Sequence, residues 1–334
     1  MRVGVIGAGA VGGALAALLH RGGHEVHVTA RGEHLAALRS SGLRLTGAWG
    51  EHRAAVSAAE TLPAGVQFVI AATKAQDAPA AIRANSPMLK GIPLVVVQNG
   101  LGGVDAARSA APDADVIGGL AVFAASHLRP GEVEVTAAGP LYLGGGVGEH
   151  DVPARFAASV LSPVLPVQVV ADFTGAQWSK LVVNQVNALP AITGMSVQEV
   201  VAHPGLRRVM TDSMRENVRV GLTRGIEFGP LQGLTHRRLR LFAALPLSVG
   251  QLLPRLMARR MGPVPNPGST LQSIRRGQPS EIDHLNGAVV RASDRTNQTA
   301  RVNRLLVELV HEVERTGRFL PPDEVLDRVA APGR

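Results

Sequence analysis

The amino-acid sequence predicts an α/β fold with two parts: a doubly wound, mostly parallel sheet, then an all-helical C-terminal domain. Up to about residue 146, short β-branched apolar runs alternate with helical stretches, whereas long helical patterns dominate from about residue 173. The length of 334 residues also exceeds what one hydrophobic core usually organises. We therefore expect two domains, residues 1–170 and residues 171–334.

The expected strands of the first domain are continuous apolar runs, as is usual for parallel strands covered on both faces. Strands that alternate with helices imply right-handed βαβ crossovers. Shorter strand-like pieces in the region 115–146 are expected to extend or edge the same sheet. The four main strands are predicted at 3–7, 24–30, 68–73 and 93–99, and the helices at 10–21, 33–41, 77–88 and 103–110.

The second domain is predicted to consist of helices, interrupted by the prolines at 263, 265 and 267. The first and the last two of these predicted helices carry the polar residues of this domain that are discussed below. The predicted helices cover roughly 175–190, 196–202, 205–225, 234–260, 269–276 and 281–316.

Composition excludes several kinds of chemistry. The chain has no cysteine, so disulfides, thiolate nucleophiles and cysteine-ligated metals are excluded. None of the eleven histidines shows metal-ligand spacing, and His284 and His311 are expected to be packing residues on helices. No apolar run reaches the roughly 18 residues of a membrane span. The glycines of the apolar N-terminal segment argue against a signal peptide, so we expect a cytoplasmic protein. From the cysteine and histidine content we expect no metal site.

The net charge of +8 lies entirely in the second half of the chain. Residues 1–170 contain 12 basic and 12 acidic residues, whereas residues 171–334 contain 22 and 14. Such a surface attracts nucleic acid, membranes or small anions. Because the arginine-rich stretch 237–260 has few aromatic residues and no nucleic-acid-binding signature, we expect a solvated helical surface, with neither nucleic acid nor membrane as partner. A homodimer remains open.

A glycine-rich motif joins the first predicted strand to the first helix. It reads Gly7-Ala8-Gly9-Ala10-Val11-Gly12. In this context the first glycine permits a tight turn, the second lets a pyrophosphate approach the backbone, and the third lets helix and strand pack closely. The motif predicts a Rossmann-type dinucleotide-binding domain.

The end of the second strand indicates which dinucleotide binds. NAD-binding proteins usually place an acid there, but this chain has Arg31 and no acid before Glu33. An arginine at this point can pair with the 2′-phosphate of NADP in bidentate fashion. The sequence therefore favours NADP(H) over NAD(H).

A polar stripe crosses an otherwise apolar predicted helix. Lys180, Asn184 and Asn187 follow one another at i, i+4 and i+7, so on a continuous helix they share one face. Burying these groups without partners is costly, which favours a stripe that lines a cleft over one inside a core. Farther along, Ser269 and Glu281 lie on either side of a Gly–Pro break. Glu281 falls in the first turn of the last predicted helix, where capping alone is an equally good explanation.

These motifs together resemble the ketopantoate reductase (2-dehydropantoate 2-reductase) family. The shared features run over essentially the whole chain in the family's order. They are the glycine motif, Arg31, TKAQD with Lys74, QNGLG with Asn99, WSKLVVN with Lys180 and Asn184, and STLQ…SEIDHLNG with Ser269 and Glu281.

The resemblance implies an NADPH-dependent reductase that transfers hydride to the ketone of a small 2-oxo acid, a step of pantothenate biosynthesis. It implies that Lys180 is the general acid and that Glu281 orients the lysine or binds a substrate hydroxyl. Asn184 and Ser269 would bind the substrate, while Lys74 and Asn99 would hold the nicotinamide end of NADPH near it. We count Asn187 and Asn99 as further candidate substrate-binding residues.

One position departs from the family pattern. Known members carry a second asparagine eight residues after the lysine, where this chain has Ala188, and Asn187 comes one residue earlier. A shift of one residue turns a helical side chain by about 100°. The resemblance therefore predicts the reaction type, and we expect slow reduction of ketopantoate itself. A family relative that reduces another carbonyl compound and a non-catalytic NADP-binding sensor are the alternatives.

Overall fold

A computed structural model describes residues 1–145 and 152–331 of the chain. It divides into two compact units. The N-terminal unit is Met1–Gln98 with Gly102–Phe173, and the C-terminal unit is Asn99–Leu101 with Thr174–Arg334. The division lies three residues beyond the expected one because the ring of Phe173 packs so closely over Gly118 that a Cβ there would lie 2.2 Å from it.

An eight-stranded sheet forms the centre of the N-terminal unit. Its order is β12-β11-β8-β7-β6-β1-β2-β5, and every pairing is parallel except β8 with β11. This is the predicted doubly wound sheet, and its inner strands are buried on both faces. The strands are β1 Arg2–Ile6, β2 Glu25–Thr29, β5 Ser57–Ala59, β6 Phe68–Ala71, β7 Pro93–Val97, β8 Asp115–Ala121, β11 Leu141–Gly144 and β12 Val167–Val169.

A second, four-stranded sheet was not predicted. It has the order β4-β3-β10-β9 and comprises β3 Leu43–Gly47, β4 His52–Ala54, β9 Ala124–Arg129 and β10 Glu132–Ala137. The prediction that all strand-like pieces of 115–146 extend the main sheet is therefore wrong for residues 124–137. These residues form a hairpin whose β10 pairs with β3 instead, and Val133 and Val135 of β10 are buried in the core.

Five α-helices of the described residues accompany the sheets of the N-terminal unit. The first, α1, is apolar along most of its length and is buried from Gly12 to Leu19. It contacts both sheets, which explains why it has no exposed polar face in its middle. The helices are α1 Ala10–Arg21, α2 Gly32–Ser41, α3 Ala78–Asn85, α4 Gly103–Ala110 and α5 Val152–Leu161.

The C-terminal unit is helical, as predicted. Its helices surround α9, whose Leu206, Met210, Met214 and Val218 are fully buried in one apolar core. Within the described ranges 1–145 and 152–331, no helix has both the length and the apolar character needed to cross a membrane. The helices are α6 Phe173–Asn184, α7 Ala188–Thr193, α8 Val197–Ala202, α9 Pro204–Thr223, α10 His236–Ala244, α11 Leu247–Gly250, α12 Leu252–Arg260, α13 Gly268–Arg275, α14 Asn286–Ser293, α15 Arg301–Thr316 and α16 Pro322–Ala330.

Three long helices of the prediction are shorter in the structure. The helix expected over 175–190 changes to a 3-10 turn at Gln185–Asn187. The one expected over 234–260 breaks before Pro246, as residues preceding proline disfavour the helical region. The last one, expected over 281–316, divides into a 3-10 turn at Ile282–His284, α14 and α15. Glu281 consequently precedes a short turn and does not lie in the first turn of a long helix.

A buried amide network joins these shorter pieces. Asn286 Nδ2 of α14 donates to Gln185 Oε1 (2.6 Å) and to Asn303 Oδ1 of α15 (3.0 Å). Ser213 Oγ of α9 lies 2.7 Å from the same Gln185 oxygen. Buried polar groups of this kind need specific partners, so the network fixes how the 3-10 turn at 185–187 meets α9, α14 and α15.

Candidate active site

The glycine motif forms a tight loop between β1 and α1. Gly7 has a φ of +91°, which favours glycine. A Cβ on Gly12 would lie 2.0 Å from the carbonyl oxygen of Gly7, so only glycine lets the helix approach the strand this closely. The backbone N–H of Gly7 donates to Thr29 Oγ1 (3.0 Å), and that of Ala8 donates to the carbonyl of Thr29 (3.1 Å). The loop is thus tied to the end of β2.

The loop leaves room for a ligand at its central glycine. Among the described residues, no heavy atom outside the immediate chain lies within 4 Å of a Cβ built on Gly9, the first residue before α1. The first turn of α1 has no acidic side chain. An open backbone at a helix N-terminus is suited to a phosphate. Thr73 Oγ1, whose residue touches Gly7, is buried without a hydrogen-bond partner among the described residues. These residues fit a dinucleotide.

Arg31 and Lys74 follow strands that flank β1 on its two sides. Arg31 follows β2 and is the N-cap residue of α2, where its side chain is exposed. Lys74 follows β6 and is half-buried. Its carbonyl accepts the N–H groups of Asp77 and Ala78, which shape the turn into α3. Both cations therefore lie at the carboxyl ends of parallel strands, where ligands of such sheets bind.

Lys180 and Glu281 interact within the C-terminal unit. Lys180 lies on α6 and is half-buried. Burial lowers its pKa from the usual 10.5 to about 8, although the negative charge of Glu281 acts in the opposite direction. A lysine with such a pKa can exchange a proton near neutral pH. Glu281 is in turn contacted by Asn99, whose Nδ2 donates to Glu281 Oε2 (3.4 Å).

The segment that carries Asn99 is held by a close backbone contact. Gly100 has a φ of +80°, and a Cβ on it would lie 2.0 Å from the carbonyl oxygen of His284. Any other residue at position 100 would push the segment away from the 3-10 turn that follows Glu281. Gly100 therefore keeps Asn99 and Glu281 within reach of each other.

Asn184 and Ser269 are brought together by Asn187. Asn187 Nδ2 donates to the carbonyl of Asn184 (3.1 Å), and its Oδ1 accepts the backbone N–H of Ser269 at the start of α13 (3.3 Å). Gly268 is required beside it, because a Cβ there would lie 2.5 Å from Asn187 Oδ1. The amide of Asn187 is thus used to join the 3-10 turn to α13. Asn184 Nδ2, by contrast, is buried with no protein partner among the described residues.

The expected polar stripe is therefore only partly present. Lys180 and Asn184 remain one turn apart on α6, where Cβ atoms lie about 5–6 Å from each other. Asn187 lies in the 3-10 turn that follows α6, so the three residues do not lie on one continuous α-helix. Ala188, at the position where the family carries asparagine, is fully buried in the core.

Sequence reasoning missed residues that support the site. His34 of α2 has its Nε2 2.8 Å from the carbonyl of Ala8 in the glycine loop, and Thr29 holds the loop from the other side. His311, expected to be a packing residue, has its ring nitrogens 2.8 Å from Glu314 Oε2 and 3.1 Å from Asp283 Oδ1. No local sequence signal distinguishes these residues, because each acts on a segment distant in the chain.

The N-terminal unit has the loop and strand arrangement of a dinucleotide-binding domain, and the C-terminal unit supplies a proton donor with a carboxylate beside it. Together they define a nicotinamide-dependent oxidoreductase. The family model "Ketopantoate reductase PanE/ApbA" matches residues 3–148, and "Ketopantoate reductase PanE/ApbA C terminal" matches residues 172–314. The chain belongs to the ketopantoate reductase family.

Individual relatives align with this chain over nearly their whole length. A 2-dehydropantoate 2-reductase of Archaeoglobus fulgidus is 28% identical over 315 residues, which cover 94% of this chain and 98% of the relative. A PanE/ApbA family ketopantoate reductase from Ralstonia eutropha JMP134 superimposes with a TM-score of 0.79 at 30% identity, covering 94% and 99%. D-mandelate dehydrogenase in complex with NADH and anilino(oxo)acetate shares the fold, with a TM-score of 0.80 at 21% identity over 95% and 99% of the chains.

The prediction of the fold class and of the family is thus confirmed. The protein is an oxidoreductase that acts on a C=O/CH–OH group with NADP(H). Three or more His, Asp or Glu side chains suitable for a metal ion do not come together anywhere in residues 1–145 and 152–331.

Proposed function

We propose that the protein reduces the ketone of a small 2-oxo acid of the ketopantoate type and that Lys180 donates the proton. The observation that supports this most strongly is the half-buried Lys180, with its pKa lowered to about 8, beside Glu281. NADPH supplies the hydride when bound. Addition of hydride to a ketone leaves an alkoxide, and a positioned ammonium both stabilises and protonates that oxygen.

The other residues would bind and orient. Glu281 keeps Lys180 charged by raising its pKa, which makes the lysine available as an acid, and Asn99 holds Glu281. Asn184 Nδ2 offers a donor that no other group in residues 1–145 and 152–331 uses, suited to a substrate carboxylate or hydroxyl oxygen. Ser269 is exposed in the first turn of α13, where the helix dipole favours a substrate carboxylate.

The dinucleotide would be held by the N-terminal unit. The open backbone at Gly9 suits the pyrophosphate, Arg31 the 2′-phosphate, and Lys74 the nicotinamide end. Asn187 supports the substrate residues by its bonds to Asn184 and Ser269, and this is a different role from the direct substrate contact expected from sequence.

Steady-state oxidation of NADPH with ketopantoate and a series of other 2-oxo acids tests the proposal. Because Asn187 is used internally and Ala188 is buried, we expect another 2-oxo acid to be reduced faster than ketopantoate. A kcat/KM for ketopantoate of about 10⁴ M⁻¹s⁻¹ or more would show that Asn187 and Ala188 do not limit the reduction of ketopantoate. NADPH binding without turnover of any 2-oxo acid would instead indicate a sensor.

The proposal includes a cytoplasmic location and admits a homodimer. Cell fractionation tests the first, and static light scattering at the working concentration tests the second.

A further inference from the structure

Helix α15 holds the chain on both sides of Glu281. On one side, the backbone N–H of Ser280 donates to Glu314 Oε1 (2.8 Å). On the other, Asp283 Oδ1 lies 3.1 Å from His311 Nε2. The two anchors are joined, because His311 Nδ1 lies 2.8 Å from Glu314 Oε2. A continuous set of hydrogen bonds thus runs from residue 280 through α15 to residue 283.

The two contacts of the His311 ring require that the ring be protonated. Ionised carboxylates only accept hydrogen bonds, and a neutral imidazole has a single N–H. Burial by itself lowers the pKa of His311, but the hydrogen bonds to Glu314 and Asp283 outweigh it and raise the pKa above its ordinary value. The pKa of Glu314 is lowered overall, since the bonds from Ser280 and His311 outweigh the effect of burial.

Two carboxylates of the described residues contact the His311 ring. Asp283 approaches from the 3-10 turn and Glu314 from α15 itself. From α14, Arg291 Nη2 donates to the carbonyl of Asp283 (2.9 Å), which places one further cation beside the same turn. Glu308 and Arg315 lie on α15 within one turn of His311 and are exposed.

We propose that His311 is a positioning residue whose protonated ring, bridging Asp283 and Glu314, fixes Glu281 beside Asn99 and Lys180. The inference rests on the proposed function only in giving Glu281 a part in the reaction. The bridge itself is a property of the folded protein and is measurable without substrate or NADPH.

Loss of the bridge has a consequence for Lys180. The negative charge of Glu281 raises the pKa of Lys180 against the effect of burial. If the segment 280–284 loosens, that support weakens and the pKa of Lys180 falls further. The alkaline limb of the kcat/KM profile should then move to lower pH, by about half a unit to one unit. A residue needed only for packing would lower stability without moving this limb.

The test compares the full-length wild type with four full-length variants. His311→Gln keeps similar bulk but has only one donor group, and His311→Lys carries a cation with three donors that can reach both carboxylates. Glu308→Gln, an exposed change on the same helix, is the matched control. Asp283→Asn keeps an acceptor oxygen and removes the charge, which gives a second variant should His311→Gln fold poorly.

The first readout is the thermal midpoint as a function of pH, without ligands. A histidine whose folded-state pKa is raised stabilises the fold fully below its unfolded pKa of about 6.5, and this stabilisation is lost as pH rises through the folded pKa. The difference in midpoint between wild type and His311→Gln should therefore be largest below about pH 6.5 and shrink in alkaline solution. A difference independent of pH would overturn the bridge.

The second readout is the pH profile of activity. We expect His311→Gln to lower kcat about tenfold and to shift the alkaline limb downward, with the Kd for NADPH within twofold of wild type. His311→Lys should restore both, Asp283→Asn should shift the limb in the same direction as His311→Gln, and Glu308→Gln should match wild type. An unshifted limb in both His311→Gln and Asp283→Asn would overturn the positioning role. If the wild type reduced no 2-oxo acid, the proposed function would fail, and the thermal measurement would still decide on the bridge.

Discussion

At the scale of single residues, Lys180 shows how the choice between lysine and arginine bears on mechanism. The chain contains only three lysines among 34 basic residues, and two of them are Lys74 and Lys180. Arginine remains charged at any ordinary pH, whereas burial can bring a lysine into the range where it gives up a proton. The lowered pKa of Lys180 fits that requirement.

Lys180→Arg tests this difference while keeping the positive charge. We expect kcat to fall by at least about 10², the lower range for loss of a general acid, because arginine does not donate a proton near neutral pH. NADPH affinity, measured by calorimetry, should stay within a few fold. Lys90→Arg is the control, because Lys90 is exposed and distant from Lys180 in the sequence. A Lys180→Arg enzyme with most of its kcat would mean that the proton comes from water or another group.

Arg31→Ala tests the choice of dinucleotide. The exposed guanidinium at the N-cap of α2 is placed to pair with a 2′-phosphate, which NADH lacks. The variant should bind NADPH more weakly by about 1–3 kcal/mol and bind NADH almost unchanged. Arg39→Ala on the same helix provides a comparison. Equal affinity of the wild type for NADH and NADPH would argue against the assignment.

The sequence provided candidate residues for the site but did not predict how their side chains are oriented. Lys180 stood out as a polar group on an otherwise apolar predicted helix, and Glu281 was proposed from the family resemblance. In the structure the charge of Glu281 acts on Lys180. Asn187 stood out for the same reason as Lys180, but its amide bonds to Asn184 and Ser269. Orientation depends on where a helix tightens into a 3-10 turn, and hydrophobic periodicity does not reveal that.

At the scale of helices and strands, hydrophobic periodicity predicted the main sheet and most helices. It predicted single long helices, however, where the structure has several shorter ones. The helix expected over 281–316 is interrupted after Ser293. A separate helix, α15, begins at Arg301, and a side chain of α9 caps its first turn. Glu216 of α9 accepts the backbone N–H groups of Val302 and Asn303 (2.8 and 2.9 Å). Such a cap lies too far away in sequence to be read from the local pattern.

Glu216→Ala should therefore destabilise the C-terminal unit. It would leave two backbone donors and the Asn303 side-chain amide, whose Nδ2 lies 2.7 Å from Glu216 Oε2, without their acceptor. We expect a loss of about 2–4 kcal/mol in the free energy of unfolding, measured with urea. Glu324→Ala removes ion pairs with Arg318 and Arg328 at the surface and should cost less than about 1 kcal/mol. Equal effects of the two changes would contradict the capping role of Glu216.

At the scale of the whole molecule, the residues proposed to bind the dinucleotide and those proposed to act on the substrate belong to different units. The N-terminal unit contains the glycine loop, Arg31 and Lys74, and the C-terminal unit contains Lys180, Glu281 and the amides around them. Sequence patterns predicted a boundary near residue 170 because the two parts of the chain differ in periodicity. They were insufficient for the second sheet, since β3 and β10 pair across a long stretch of chain.

We propose that Lys180, with its pKa lowered to about 8, protonates the alkoxide that hydride transfer leaves. The kcat/KM of the wild type for its best 2-oxo acid, followed from about pH 6 to about pH 10, tests it most directly because this ratio reports groups of the free enzyme. If Lys180 is the acid, reduction requires its protonated form, so kcat/KM should be constant on the acidic side of this pKa and fall about tenfold per unit above pH 8. A profile that stays flat up to about pH 10 would contradict the assignment of Lys180 as the acid.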